Sequence, residues 1–435
     1  MQRSRYSRRT VLAASVAALT LAATACGSDD PADAGGPVTL SMSAWSLNST
    51  PEFKKLAEAF QAQNPDIKVE FKEYDAANYD TQLTADLAAG SAPDVFVLKN
   101  LKNFVTYQSG DQLLDVSDVA SSLGTKANGL GNYNADGATY AVPYRQDSWY
   151  LYYNKDLFAK AGVKPPEATW TWADYEKAAE GLAKGLKDTG SPAKAAYQHI
   201  WQSTVQGLAL AQTPGADLIS GDYSYLAPYY KRALQLQSSG AQVDYGTAST
   251  NTLQYQAQFG TQQAAMMVMG SWFVATLVAQ QKSGAAQAFQ WGFAPAPQRD
   301  ASTKDKPVTF GDPTGLGINA STDKAKIAAA KKFLAFAAGE GGAAALASIG
   351  ITPATLTEPV TTAYFGVAGV PTDELSRFAF ENHDTKAENP VSPITAAVQN
   401  VLGDTHSAIM SGSTPVDQAL AEAGDRVRSE VLQSK

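Results

Sequence analysis

The stretch Gly137–Phe158, GATYAVPYRQDSWYLYYNKDLF, constrains this chain more than any other. It opens at a turn, passes through the polar cluster Tyr144, Arg145, Gln146, Asp147, and enters a dense aromatic run ending at Tyr153. Val, Tyr and Trp at this density favour extended backbone, and Asp136-Gly137 just upstream is a hairpin signal. The pattern predicts strand, polar crossing, strand. A crossing between two rigid strands is where a hinge between two lobes would set polar side chains towards a cleft.

Length agrees with that division, because 435 residues exceed what one hydrophobic core usually supports. From Val38 the pattern VTLSMSAW alternates apolar and polar as a half-buried strand ending at Trp45. Pro51 then opens a helix with Phe53, Leu56, Ala57 and Phe60 on its apolar face, and Asn64-Pro65 stops it. Ile67, Val69 and Phe71 alternate as a second strand, Tyr79 to Ala89 reads as a helix, and the apolar run VFVL after Pro93-Asp94 reads as a third strand. Strand, helix, strand, helix, strand marks an α/β lobe with a largely parallel sheet, whose ligands collect beyond the carboxyl ends of the strands. That rule points to Trp45–Asn48, including Ser46, and to Lys99-Asn100. Further on, Thr171 and Asp174 form a capping-box pattern, AAMMVMG (264–270) reads as a buried strand, and Gly270-Ser271-Trp272 turns into a helix. WGFAPAP from Trp291 and the flexible RDASTKDKP after it predict a second crossing. VTFGDPTGLGI then resumes a strand, Ser321 or Thr322 is expected to cap the next helix, and the remainder reads as helical with loops.

The first 25 residues read as an export segment, with Arg3, Arg5, Arg8 and Arg9 ahead of an apolar stretch, Thr10–Thr24. That stretch is shorter than the roughly 20 residues a membrane span needs. SRRTVL is similar to a twin-arginine signal, and Sec export stays open. Cys26, the single cysteine, follows Ala23-Thr24-Ala25 and is similar to a lipobox cysteine, expected to carry lipid and to anchor the chain to the outer face of the cell membrane. Residues 26–37 read as a flexible tether. Removing residues 1–25 takes four arginines and no acids, moving the formal net charge from −8 to −12. So acidic a chain is a poor partner for nucleic acid.

Taken together, QAQNPDIKVEF, LTADLAAGSAPDVF, TYAVPYRQDSWYLYYNKDLFAKAG, TWTWADYEKAA, QQAAMMVMGSW and PVDQALAEA resemble, in order and spacing, the family 1 extracellular solute-binding proteins, the maltose-binding-protein-like group serving ABC importers. The resemblance implies an α/β fold of two lobes, periplasmic-binding-protein-like of type II, joined by crossing hinge segments that close around a ligand. The expected division puts residues 38–145 and 298–352 in lobe 1 and residues 146–297 and 353–435 in lobe 2. It implies no catalysis and no cofactor or metal. The partners it implies are a small-molecule solute, usually a sugar, and the permease subunits, with the receptor itself a monomer. Sugar recognition uses aromatic platforms and polar side chains. Carried over position by position, Asp147 falls where a polar or acidic ligand contact is common, with Arg145 either donating to the ligand or holding Asp147 in place, and Trp272 falls where a stacking tryptophan is common. Trp45, Asp312 and Thr314 face the expected cleft, Trp149 alternates near it, and Trp201, beside His199, falls in a segment that often supplies contacts. The tip Leu98-Lys99-Asn100 departs from the pattern of maltose-like binders, leaving a charged sugar or other anionic solute open through Lys99, and an amine solute open as a further alternative.

Several residues have plainer readings. Trp170, Trp172 and Trp291 fit core positions, Asp147 could serve only a hinge salt bridge with Arg145, and a loop Asp before Pro such as Asp312 often only caps a turn. An envelope carbohydrate hydrolase is the enzyme alternative, but among 42 acidic residues no spacing singles out a carboxylate pair. Ser191–Lys194 and Ser321–Lys324 fit S-x-x-K without the accompanying SDN or KTG, and the three histidines are too dispersed for a metal motif.

Overall fold

The computed structural model describes residues 36–124, 126–197 and 199–433. The export segment, Cys26 and most of the tether therefore lie outside the described residues.

The strands follow in chain order as β1 (Val38–Trp45), β2 (Ile67–Tyr74), β3 (Val95–Leu98), β4 (Asn134–Ala135), β5 (Ala138–Thr139), β6 (Val142–Gln146), β7 (Trp149–Asn154), β8 (Lys194–Ala196), β9 (Ala264–Gly270), β10 (Trp291–Pro295), β11 (Val308–Phe310), β12 (Pro313–Ile318) and β13 (Asp384–Lys386). They form a five-stranded sheet in the order β2-β1-β3-β12-β6 and a four-stranded sheet in the order β10-β7-β9-β8. In the first sheet β1 is parallel to β2 and β3, while β12 runs antiparallel to both β3 and β6. The alternation read in VTLSMSAW puts Leu40, Met42 and Ala44 into the first core with Phe53, Phe60 and Phe333, but β1 is more than half-buried: lying between β2 and β3, it buries Ser43 and Trp45 as well. A second core gathers on the other sheet around Tyr150, Tyr152, Phe273 and Phe293, and it includes Phe310.

Local signals set the helix ends. Helix Glu52–Gln63 follows Pro51, and helix Trp172–Asp188 carries the full reciprocal capping box between Thr171 and Asp174. Asp136 and Gly137 both take positive φ, as a two-residue hairpin between β4 and β5 requires. One cap differs from expectation. Helix Lys324–Ala338 is capped by Asp323, whose carboxylate accepts from the Ala325 amide, and not by Ser321 or Thr322. Thr322 instead donates to the Asp94 carbonyl, and the Ser321 amide donates to Asn319.

The chain passes between the sheets in the predicted stretch: β6 ends at Gln146 in the first sheet and β7 begins at Trp149 in the second. The second passage falls later than the expected 291–307 stretch, which stays with the second core together with Phe310: the chain crosses between β11, paired with β13, and β12, in the first sheet. The two passages touch. A Cβ on Gly311 would sit 2.1 Å from the Asp147 carbonyl oxygen, so only glycine permits this approach.

Candidate functional site

At the first passage the charges are buried and mutually paired. Arg145 Nη1 donates to Glu52 Oε2 at 2.6 Å, its Nη2 to Thr314 Oγ1 at 3.2 Å, and its Nε lies 3.1 Å from Asp147 Oδ2. Tyr144 donates its hydroxyl to Glu52 Oε1 at 2.5 Å. Asp147 Oδ1 accepts from Ser271 Oγ at 3.0 Å, so this one carboxylate links Arg145, on the first sheet, to the turn after β9 on the second. Burial pushes the Asp147 carboxyl up, with the Arg145 guanidinium pulling the other way. Its two neighbouring carboxylates overcome burial at Arg145 and hold that guanidinium firmly cationic.

Asp312 ties the second passage. It accepts from the Leu101 amide at 3.1 Å, the Glu388 amide at 2.8 Å, the Asn389 amide at 3.2 Å and Asn389 Nδ2 at 2.7 Å. Thr314 is buried beside it and donates to the Lys99 carbonyl. Both Asp147 and Asp312 thus spend their carboxylates on protein donors.

Beyond the ends of β1 and β3 the strand-end rule brings its residues together. Trp45 lies edge-on to Phe53 and Tyr79, and Lys99 Nζ sits 5.2 Å from the Trp45 ring while donating to the Ala76 carbonyl at 2.6 Å. Burial lowers the Lys99 pKa, and Asp80 opposes it. Ser46 takes φ +52°, and its carbonyl accepts from the Ser49 and Thr50 amides, turning the chain directly after Trp45. Asn100 accepts from the Lys102 amide. Lys102 Nζ reaches Asn400 Oδ1 at 3.1 Å, joining the first sheet's tip to helix Thr395–Met410 of the second core.

On the opposite wall the aromatic residues form a connected surface. Trp149 is 3% exposed and stacked on Phe310 at 4.7 Å, which puts it in the core behind Trp272, whose ring meets it edge-on at 5.6 Å. Trp272 folds back over Gly270, where a Cβ would collide with the indole at 1.9 Å. Its Nε1 donates to the Tyr255 hydroxyl at 3.1 Å, and Tyr255 lies 5.8 Å from both Trp201 and His199. Trp201 is 41% exposed, and His199 Nδ1 accepts from its amide. Burial pushes the His199 pKa down to about 3, keeping the ring neutral.

Residues that sequence reasoning passed over complete the junction. Glu52 reads locally as an ordinary first-turn acid, yet it is 1% exposed and neutralised by Arg145. Tyr255, Lys102, Glu388 and Asn389 carry no local signal. Glu388 accepts from Ser203, and burial and then the Asp312 carboxylate push its pKa up to about 7.

Two α/β cores joined by touching passages, with aromatic and paired polar side chains where they meet, define a two-lobe solute-binding protein. The family model for bacterial extracellular solute-binding proteins matches residues 44–344, and the chain belongs to that family. It is an extracellular solute-binding protein by family. A solved sugar transporter of Rhizobium etli, in an open conformation, is 33% identical, with 90% of this chain and 99% of that one covered at a TM-score of 0.75. An ABC substrate-binding protein of Listeria monocytogenes, in complex with cycloalternan, shares the fold at 21% identity and a TM-score of 0.75, covering 90% of this chain and 98% of that one. The sn-glycerol-3-phosphate-binding periplasmic protein UgpB of Escherichia coli (strain K12) is 32% identical over 167 residues. That match spans 36% of this chain and 36% of UgpB.

Proposed function

We propose that this protein is the extracytoplasmic receptor of an ABC importer and that it captures an uncharged mono- or oligosaccharide between its lobes. The observation that carries the sugar reading is the pairing of aromatic surface with cations already in use. Trp272, Tyr255, Trp201 and His199 offer ring faces and edges for the apolar faces of a sugar. Around them Arg145 is engaged by Glu52 and Asp147, Lys99 by the Ala76 carbonyl, and Lys102 by Asn400. Asp80, Asp312 and Glu388 stand among these cations, so a phosphate would meet a site with more acid than base. The kinship with a protein described as a sugar transporter supports the same reading.

In this reading Trp272, Trp45, Trp201, Ser46 and Asn100 meet the solute, and Trp149 backs Trp272. Arg145, Asp147, Asp312 and Thr314 hold the two passages in register so that the walls close as rigid bodies. Lipid on Cys26 would keep the receptor beside its permease. The second reading, an sn-glycerol phosphate or other anionic solute gripped by Lys99, draws on the partial match to UgpB. A thermal-shift screen separates them: stabilisation by neutral sugars without their consumption supports the proposal, stabilisation only by phosphorylated solutes supports the second reading, and turnover overturns both.

A further inference from the structure

Across the inter-lobe junction runs an unbroken line of side-chain amides. Gln202 Nε2 donates to Gln399 Oε1 at 2.7 Å and to the Gln399 carbonyl at 2.9 Å, Gln399 Nε2 donates to Asn389 Oδ1 at 2.9 Å, and Asn389 Nδ2 donates to Asp312 Oδ2 at 2.7 Å. The same Asp312 oxygen accepts from the Leu101 amide, so the line starts at the tip after β3 and ends at Gln202, directly after Trp201. Asn389 and Gln399 are buried. Gly403, one turn along helix Thr395–Met410 from Gln399, makes room for the far end. A Cβ there would lie 2.9 Å from Gln202 Oε1, and its three nearest atoms all belong to that amide.

The direction of the line is set at one end. Four N–H groups face the Asp312 carboxylate, three of them backbone amides that cannot turn, so it only accepts. Asn389 must therefore present Nδ2 to it and Oδ1 to Gln399, Gln399 must answer with Nε2, and its Oε1 is left to take the Gln202 amide. Reversing any one amide would set acceptor against acceptor, or donor against donor, in a buried place. A line with one permitted orientation is rigid, and it joins the hinge carboxylate to the segment that carries Trp201. We infer that Asn389, Gln399 and Gln202 are positioning residues for solute binding: Asp312 orients them in turn, and through them holds Trp201 in register with the tip at residues 99–101. They act without touching the solute, and the assignment rests on the sugar reading above.

The test labels the whole protein with 5-fluorotryptophan, the Trp201 resonance being assigned by its loss in Trp201→Phe, and titrates it calorimetrically with glucose, sucrose, maltose and raffinose. Gly403→Ala is the decisive variant: it pushes the Gln202 amide aside while favouring the helix, so its melting temperature should not fall. Its Trp201 fluorine line should nonetheless shift or broaden, with the Trp291 line unmoved. The dissociation constant of the sugar that wild type binds should rise about five-fold or more, as it should in Gln399→Met. Gln399→Glu, nearly the same shape, should fail as badly because two acceptors then face each other. With Asp312→Asn added, Asn389 can turn, and binding should be tighter than the two single losses predict. An unchanged Trp201 line and affinity in Gly403→Ala, or a double variant no better than additive, would overturn the inference and leave the sugar reading standing. No saturable binding of any of these sugars to wild type would remove the solute role of the line together with that reading. Should Gln399→Met fail to fold, Gly403→Ala decides.

Discussion

Replacing Asp147 with alanine removes the carboxylate that ties Arg145 to Ser271 across the first passage. The residue is 5% exposed, and Arg145 is 6% exposed, so solvent cannot take the lost carboxylate's place. Arg145 keeps Glu52, but Ser271 Oγ loses its acceptor, and Arg145 Nε loses its counter-charge. Breaking a buried pair by deleting one partner costs about 3–5 kcal/mol, against about 0–1 kcal/mol for an exposed pair. Urea unfolding followed by tryptophan fluorescence should therefore show Asp147→Ala destabilised by about 3–5 kcal/mol, with little salt dependence, because buried pairs are poorly screened. The cost should shrink in an Arg145→Met background, where the carboxylate has already lost its partner. A loss below about 1 kcal/mol, or one unchanged by Arg145→Met, would refute the buried-network argument.

Gly311→Ala places a Cβ 2.1 Å from the Asp147 carbonyl oxygen, where backbone must move. It should cost at least about 1–3 kcal/mol in the same unfolding assay, and a neutral substitution would contradict the contact. Trp272→Ala should raise the dissociation constant for the bound sugar by about 10- to 100-fold in calorimetry, as truncating an aromatic anchor does, while the fold persists by circular dichroism. Glu388 and His406 are among the groups that shape stability against pH. Glu388 titrates near 7 when folded, above its unfolded value, so its contribution is complete in acid and is lost as pH rises through about 7. His406, pushed down to about 3 by burial, contributes above the ordinary imidazole pKa and loses that contribution as pH falls below it. Melting temperatures across pH should show Glu388→Gln flattening the loss of stability as pH rises from about 4.5 to about 7, and His406→Gln flattening the loss as pH falls from about 6.5 to about 3.

What was legible in the sequence is what depends on near neighbours. Alternation delimits β1 at Val38–Trp45, Thr171 and Asp174 announce their capping box, and the polar cluster Tyr144–Asp147 marks the crossing to within a few residues, its first three members ending β6 and the chain changing sheets just after. The rule for parallel strand ends brought Trp45 and Lys99 together, although the ammonium over the indole was not foreseeable from either residue. Long-range pairings left no trace. Glu52 meets Arg145 across 93 positions and Asp312 meets Asn389 across 77, and nothing in the local pattern of a helix start or a loop encodes such a partner. The shift of the cap to Asp323 follows the same logic, since Thr322 is drawn away by the Asp94 carbonyl.

The measurement that bears most directly on the central claim is calorimetric titration of the protein with neutral sugars and, in parallel, with sn-glycerol 3-phosphate, alongside product analysis of each mixture. The account predicts saturable binding of a neutral sugar, unchanged after incubation, with stabilisation of about 2.7 kcal/mol at 100 times its dissociation constant. Tight binding of the phosphate alone would contradict it, because the cations at the junction would then have to be free to receive a charge that Glu52, Asp147 and Asn400 already answer.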